Sequence, residues 1–249
     1  MKILISNDDG YDSEGIVLLS KIARDYTSEI VVFAPDRNRS ASSFAVTKGN
    51  IIVEEMESNV YRVFGTPSDC MIIALEGFFD WKPDLVLSGI NLGANLGSDV
   101  IYSGTVSVAM QAFWHGVHGV AFSLCSNNPI YFNTARHVVK LFLENYFKTL
   151  FLRPFPSAIS VNIPPVAISD CRGFAYTNLG QRKTSHPISC QKVSDKEYHC
   201  SLGDLSGPLG LSNSQDFWAT RNRYASITPL KFVQSNSTSF YDPSWMVKL

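Results

Sequence analysis

Asp8 and Asp9 stand side by side directly after the apolar run Ile3-Leu4-Ile5, and Gly10 follows them. Two carboxylates at the end of a buried strand repel each other and are costly to take out of water. A divalent cation relieves both penalties, and hard cations prefer oxygen donors. The same Asp-Asp-Gly turn also suits a helix cap, with one carboxylate facing water. Spacing alone does not choose between the two.

Two further loops offer partners. Arg37-Asn38-Arg39-Ser40-Ala41-Ser42-Ser43 holds a hydroxyl ligand in Ser40, and arginines or backbone amides for phosphate. By itself it equally fits a solvated loop with capping serines. The stretch Ser88-Gly89-Ile90-Asn91-Leu92-Gly93-Ala94-Asn95-Leu96-Gly97 is harder to read as a plain turn. Its glycines let backbone approach a ligand, while Asn91 and Asn95 supply neutral carbonyl oxygens and amide donors. Such groups suit a hard cation and a phosphate together. The loop is neither a P-loop nor a dinucleotide fingerprint, because no Gly-Lys-Ser/Thr and no G-x-G-x-x-G is present. Tyr102-Ser103-Gly104-Thr105 then leads into a helix. Hydroxyls and free amides at a helix start make an anion site and can cap the helix as well.

These loops need a scaffold that brings them together. Ile3-Leu4-Ile5 reads as a strand buried on both faces, and Asp12 or Ser13 can cap a helix whose Ile16, Leu19, Ala23 and Tyr26 recur at helical spacing. Ile30-Val31-Val32-Phe33 is the next strand. Such a β-α-β opening implies a parallel sheet with right-handed crossovers. Strand-like runs follow at 51–53 and 60–64, then Thr66-Pro67-Ser68-Asp69, a strong helix start. Met71, Ala74, Leu75, Phe78 and Phe79 are expected on the buried face of that helix. Strands are expected at 84–87, 120–124 and 158–162, and helices from Thr105 and over 129–147. In an open α/β sheet, ligands bind beyond the carboxyl ends of the strands. All three polar loops sit at such ends.

The fold expected is therefore three-layer α/β/α and Rossmann-like, with a mostly parallel sheet over residues 1–165. Residues 166–249 are rich in Ser, Gly and Pro, and read as β-hairpins and an extended arm that completes the fold and serves self-association. The 249-residue length buries a substantial core. A net charge of −1 gives no general attraction for a nucleic-acid polymer. Among the 5 cysteines, no C-x-x-C pair and no zinc spacing occurs, so they read as reduced thiols of a cytoplasmic protein. The 5 histidines form no metal motif and are given no catalytic role. No apolar run is long enough to span a membrane. Trp218 is the aromatic residue to watch as a nucleobase contact.

Ile5-Ser6-Asn7-Asp8-Asp9-Gly10, Ala34-Pro35-Asp36-Arg37-Asn38-Arg39-Ser40, Gly65-Thr66-Pro67-Ser68-Asp69-Cys70 and Ser88-Gly89-Ile90-Asn91 recur in one order with Asn95-Leu96-Gly97 and Ile101-Tyr102-Ser103-Gly104-Thr105-Val106. With Val161-Asn162-Ile163-Pro164 and Tyr224-Ala225-Ser226-Ile227-Thr228-Pro229-Leu230, this set resembles the SurE family, the survival-protein nucleotidases, from residue 1 to about 230. The resemblance implies a metal-dependent nucleotidase acting on nucleoside 5′- or 3′-monophosphates, with polyphosphate as a further substrate of some members. It implies one Mg²⁺ or Mn²⁺ per subunit on Asp8, Asp9, Ser40 and Asn91. It places phosphate at Asn95, Ser103, Gly104 and Thr105, and catalysis on Asp8, Asp9 and Asn95. It also implies dimers or tetramers that exchange the C-terminal arm. Ala41 stands where the family commonly has glycine, Ala94 where it often has proline, and 181–215 matches least. Whether water or an aspartate attacks phosphorus is left open. A non-catalytic metal or nucleotide sensor and a dinucleotide-dependent oxidoreductase are the other function classes weighed.

Overall fold

The structure is a computed structural model that describes residues 1–150, 155–183, 188–203 and 207–231. In chain order the first half runs β1 (Ile3–Ser6), α1 (Glu14–Ala23), β2 (Ile30–Pro35), β3 (Val53–Glu57), β4 (Val60–Val63), α2 (Pro67–Ile73), β5 (Leu85–Leu92) and α3 (Gly104–Trp114). The second half runs β6 (His118–Leu124), α4 (Phe132–Leu150), β7 (Ala158–Ile163), β8 (Phe174–Tyr176), β9 (Ile188–Lys192), β10 (Tyr198–Leu202), α5 (Asp216–Arg221) and β11 (Ala225–Leu230).

Nine strands form one sheet in the order β3-β4-β2-β1-β5-β6-β7-β11-β8. The run from β4 through β7 is parallel; β3 pairs antiparallel with β4, and β11 with β7. The all-apolar sequence of β1 follows from burial on both faces. Ile3 and Ile5 pack with Ile16, Leu19 and Ile22 of α1 and Phe142 and Leu143 of α4. Leu4 faces the other way, onto Met71 of α2 and Val108 and Ala112 of α3. Each such fully buried aliphatic side chain contributes about 1.5–3 kcal/mol. The result is the three-layer α/β/α arrangement that the alternating pattern implies. From β1 the chain moves outward to β2 and β4, then returns to the opposite side of β1 as β5. The carboxyl ends of β1 and β5 are thus the point where strand order reverses, where open α/β sheets bind ligands.

Local chemistry explains the element boundaries. Thr66 accepts from the Asp69 amide at 3.1 Å while Asp69 accepts from the Thr66 amide at 2.8 Å, a complete capping box with Pro67 at the first helical position. Helix α2 is shorter than the expected apolar face. It ends at Ile73, and Gly77 (φ 145°) breaks the turn that follows, so Phe78 is exposed. Strand β5 also differs from expectation: it continues through Ser88 to Leu92, where a loop was expected from residue 88. Its register with β6 breaks between Ser88 and Asn91. Gly89 takes φ 112°, and a Cβ there would lie 2.3 Å from the Phe122 carbonyl oxygen. Only glycine fits that approach.

Beyond residue 165 the chain adds β8 and β11 to the main sheet and builds the separate β9–β10 hairpin. Helix α5 has no counterpart in the sequence reading, because six residues are too few for a helical period to show. The expectation of reduced cysteines is corrected for two of the five. Cys190 and Cys200 face each other across the hairpin and are disulfide-bonded. Antiparallel pairing brings ten-residue-distant thiols together, which linear spacing does not reveal. Cys70, Cys125 and Cys171 are free thiols. The part of the expected 166–249 hairpin and arm region that follows residue 231 lies outside the described residues.

Candidate active site

Asp8 follows β1 directly and is buried, with 4% of its surface exposed. Its carboxylate accepts from the Thr105 hydroxyl in the first turn of α3. Burial pushes the Asp8 carboxyl above the usual carboxylate range, and the Thr105 hydrogen bond offsets part of that rise. Asp9 is less buried. Desolvation and the neighbouring Asp8 charge push it up to about 6. Among the described residues no Lys, Arg or His forms an ion pair with either carboxylate. Two adjacent acids in this state are the signature of a site short of positive charge.

Asn7 builds the turn that presents them. Its side-chain amide donates to the Gly10 carbonyl at 2.9 Å and to the Ser13 hydroxyl at 2.8 Å, and its side-chain oxygen accepts from the Gly10 amide at 3.2 Å. The Ser40 loop closes over from β2. Arg39 donates its backbone amide to the Asp8 carbonyl at 2.7 Å, and Asn38 donates to the Asp9 carboxylate at 3.3 Å. The Asn38 side chain also accepts from the Ser40 amide at 2.8 Å, which fixes Ser40 beside the pair. Arg39 is turned to Asp36 at 2.7 Å instead of facing the carboxylates. Asn38 and Asn7 therefore shape the site, and the sequence reading assigned neither.

Asn91 sits at the end of β5, three residues after Ser88, which is in register with Ser6 of β1. Its amide nitrogen donates to the Gly93 carbonyl at 2.9 Å, and its side-chain oxygen has no hydrogen bond among the described residues. Asn95 is buried and held from two sides. Its side-chain amide donates to Ser123 at 2.8 Å, and its backbone exchanges 2.9 Å hydrogen bonds with Asn162. Ser103 caps α3 by accepting from the Val106 amide at 3.0 Å. Gly104 lies so close that a Cβ on it would be 2.7 Å from the Asp8 Cβ. The amino end of an 11-residue helix therefore meets Asp8, and its partial positive charge favours an anion there.

The structure thus brings Gly104 and Thr105 against Asp8 and, through Asn38, the Ser40 loop against Asp9, with Ser103 capping the same helix turn and Asn91 and Asn95 at and just beyond the end of β5. A buried support was not legible. Asp216 accepts from the Gly97 amide at 2.7 Å and the Gly180 amide at 2.9 Å, and Asp99 pairs with Arg182. These tie the loop before α3 to the late part of the chain. Trp218 stacks on Tyr224, with ring centroids 6.0 Å apart, and is engaged in packing.

The model of the family described as survival protein SurE matches residues 3–186. The chain belongs to the SurE family. Relatives include proteins called 5′-nucleotidase SurE from Marinomonas sp. (strain MWYL1), 45% identical with 92% of this chain and 91% of the relative covered, and from Ruthia magnifica, 41% identical with 93% and 92% covered. The solved SurE protein from Aquifex aeolicus superposes with a TM-score of 0.80 at 32% identity, covering 95% of both chains. The SurE match spans β1, the Ser40 loop, β5 and the start of α3, and so includes every element of the site.

Proposed function

We propose that this chain is a divalent-metal-dependent 5′-nucleotidase that hydrolyses nucleoside 5′-monophosphates to nucleoside and phosphate. The observation that carries the reading is the adjacent Asp8-Asp9 carboxylates, without a cationic partner among the described residues, Asp8 lying against the amino end of α3 at the switch point of the sheet. The naming of its SurE relatives as 5′-nucleotidases supports the same reaction.

The residues present fit one divalent cation. Asp8, Asp9, Ser40 and Asn91 make an all-oxygen donor set, and both carboxyls, pushed above the usual carboxylate range, mark a site that positive charge would relieve. A bound Mg²⁺ or Mn²⁺ would neutralise the pair and draw electron density from a phosphoryl oxygen. Gly104 offers its backbone amide to a phosphoryl oxygen, where charge grows in the transition state, while Thr105 is held to Asp8. Asn95, fixed by Ser123 and Asn162, adds a polar group that needs no rearrangement. Ser103 acts by holding the first turn of α3 in place. Asp9, the more accessible carboxylate, is the group placed to orient the attacking water.

Hydrolysis of 3′-nucleotides and short polyphosphate belongs to the same proposal, as do a cytoplasmic location and assembly into dimers or tetramers. Among the described residues no helix is long and apolar enough to cross a membrane. The β9–β10 hairpin carries exposed Ile188, Tyr198 and Leu202, which supports self-association. The test is phosphate release from AMP and GMP with Mg²⁺ or Mn²⁺, before and after EDTA. Metal-dependent release supports the nucleotidase. Nucleotide binding without release would instead mark a sensor.

A further inference from the structure

Cys190 and Cys200 are joined on a part of the molecule that takes no part in the carboxylate site. They sit opposite each other in the β9–β10 hairpin, 4.0 Å apart at Cα. The hairpin begins after residue 186, where the SurE match ends. Among the described residues its strands pair only with each other, and every residue of both is exposed. Side chains two apart in a strand share a face. The sulfur-bearing face therefore also carries Ile188 opposite Leu202 and Lys192 opposite Tyr198, whereas the other face pairs Ser189 with Ser201 and Gln191 with His199. Ile188 and Leu202 are each 67% exposed.

A two-stranded hairpin without a packed face is marginally stable in water. At the tip, the Val193 and Ser194 amides both donate to the Glu197 carbonyl, at 3.0 and 3.3 Å. At the base, Lys183 donates its amide to the Gly207 carbonyl at 3.1 Å, and Arg182 forms an ion pair with buried Asp99. Between tip and base, the Cys190–Cys200 bond ties the strands covalently and removes open conformations from those the chain can reach. Accessibility decides how such a bond behaves. A well-protected structural disulfide resists small thiols, while an exposed one exchanges with them. Both Cys190 and Cys200 are exposed. The other three cysteines are free thiols, and none of them is exposed. One accessible bond in a chain that keeps its other thiols is the pattern of a redox-responsive pair.

We propose that Cys190–Cys200 is a redox-modification site. Small thiols of the glutathione class open it, their disulfides close it, and the hairpin is ordered only in the closed state. In opening, a glutathione thiolate attacks one protein sulfur, forms a mixed disulfide and releases the other sulfur as a thiolate, which takes up a proton. A second glutathione thiolate then attacks the glutathione sulfur of the mixed disulfide. Glutathione disulfide leaves, and the second protein thiolate is protonated. One protein disulfide and two glutathiones thus become two protein thiols and one glutathione disulfide. The exchange controls the face of Ile188, Tyr198 and Leu202, which forms one surface only while the strands are paired.

The test equilibrates the full chain across ratios of reduced to oxidised glutathione. Samples are quenched in acid and alkylated after denaturation, so that mass counts the thiols. Amide hydrogen exchange over 188–202 is followed at the same ratios. The thiol count should move reversibly between three and five as the ratio rises. The hairpin amides should exchange roughly tenfold or more faster in the five-thiol chain, with exchange in the main sheet unchanged. Cys190→Ser and Cys200→Ser, both at exposed positions, should exchange like the reduced chain at every ratio. A count of three that survives the most reducing ratio makes the bond a permanent staple and overturns the proposal. A count of five at every ratio overturns it as well. Equal exchange over 188–202 in the two states, or acceleration spread over the whole sheet, overturns the control of hairpin order.

Discussion

Thr105 donates its hydroxyl to the Asp8 carboxylate, joining the first turn of α3 to the end of β1 across 97 residues of chain. That one contact sets the carboxylate pair against the amino end of a helix. It places a cation site and an anion site side by side, as hydrolysis of a phosphate ester requires.

Thr105→Val keeps the shape of the side chain and removes the hydroxyl. The Thr105 hydrogen bond lowers an Asp8 carboxyl that burial has raised. Its loss lets that carboxyl rise further, so protons compete with the metal at higher pH. The acid limb of the pH–rate profile should move upward, with metal affinity near pH 6 falling most. A profile that keeps its acid limb would show that Asp8 does not titrate with activity.

Gly104→Ala tests the close approach of α3. The added methyl would sit 2.7 Å from the Asp8 Cβ, so carboxylate or helix must shift. Displacements of this kind cost about 100-fold in turnover. AMP hydrolysis should fall by that order while the far-ultraviolet circular dichroism stays that of the wild type.

In the metal-free protein, Asp9 links stability to pH with a defined sign. Its folded value is raised to about 6 from 3.8, so the folded state holds the proton more tightly than the unfolded state. Stability from this group is full below the unfolded value and is lost as pH rises through about 6. Asp9→Asn should remove that loss and raise the thermal midpoint of metal-free protein at neutral pH. Thermal scans of EDTA-treated wild type and variant between pH 4 and 8 check the sign; a variant less stable at pH 7.5 would contradict it.

Asp216→Ala removes the acceptor for the Gly97 and Gly180 amides, both buried. Each stranded donor costs about 1–3 kcal/mol, so urea unfolding should show a loss of several kcal/mol. AMP turnover should fall with it, because Gly97 opens the turn that leads to Ser103 and Gly104.

Much of this arrangement is legible in sequence because its signals are local. Asp8-Asp9 directly follows its strand, Thr66 and Asp69 sit three residues apart in their capping box, and Ser103 precedes the helix that it caps. What was not legible depends on distant pairs. Asn95 meets Asn162 across 67 residues, and Asp216 meets Gly97 across 119. No periodicity marks such contacts. The β5 boundary was misplaced for a different reason. Its Gly89, read as loop, serves a strand whose backbone presses against the Phe122 carbonyl. The Cys190–Cys200 bond likewise follows from hairpin register, which the polar 188–202 stretch does not announce.

The central claim is that Asp8 and Asp9 work as one cation site for phosphate ester hydrolysis. Its most direct test is AMP hydrolysis by wild type, Asp8→Asn and Asp9→Asn at saturating Mn²⁺. The account predicts metal-dependent phosphate release by the wild type and loss of turnover by about 100-fold or more in each folded variant. Near wild-type hydrolysis by either variant would contradict it.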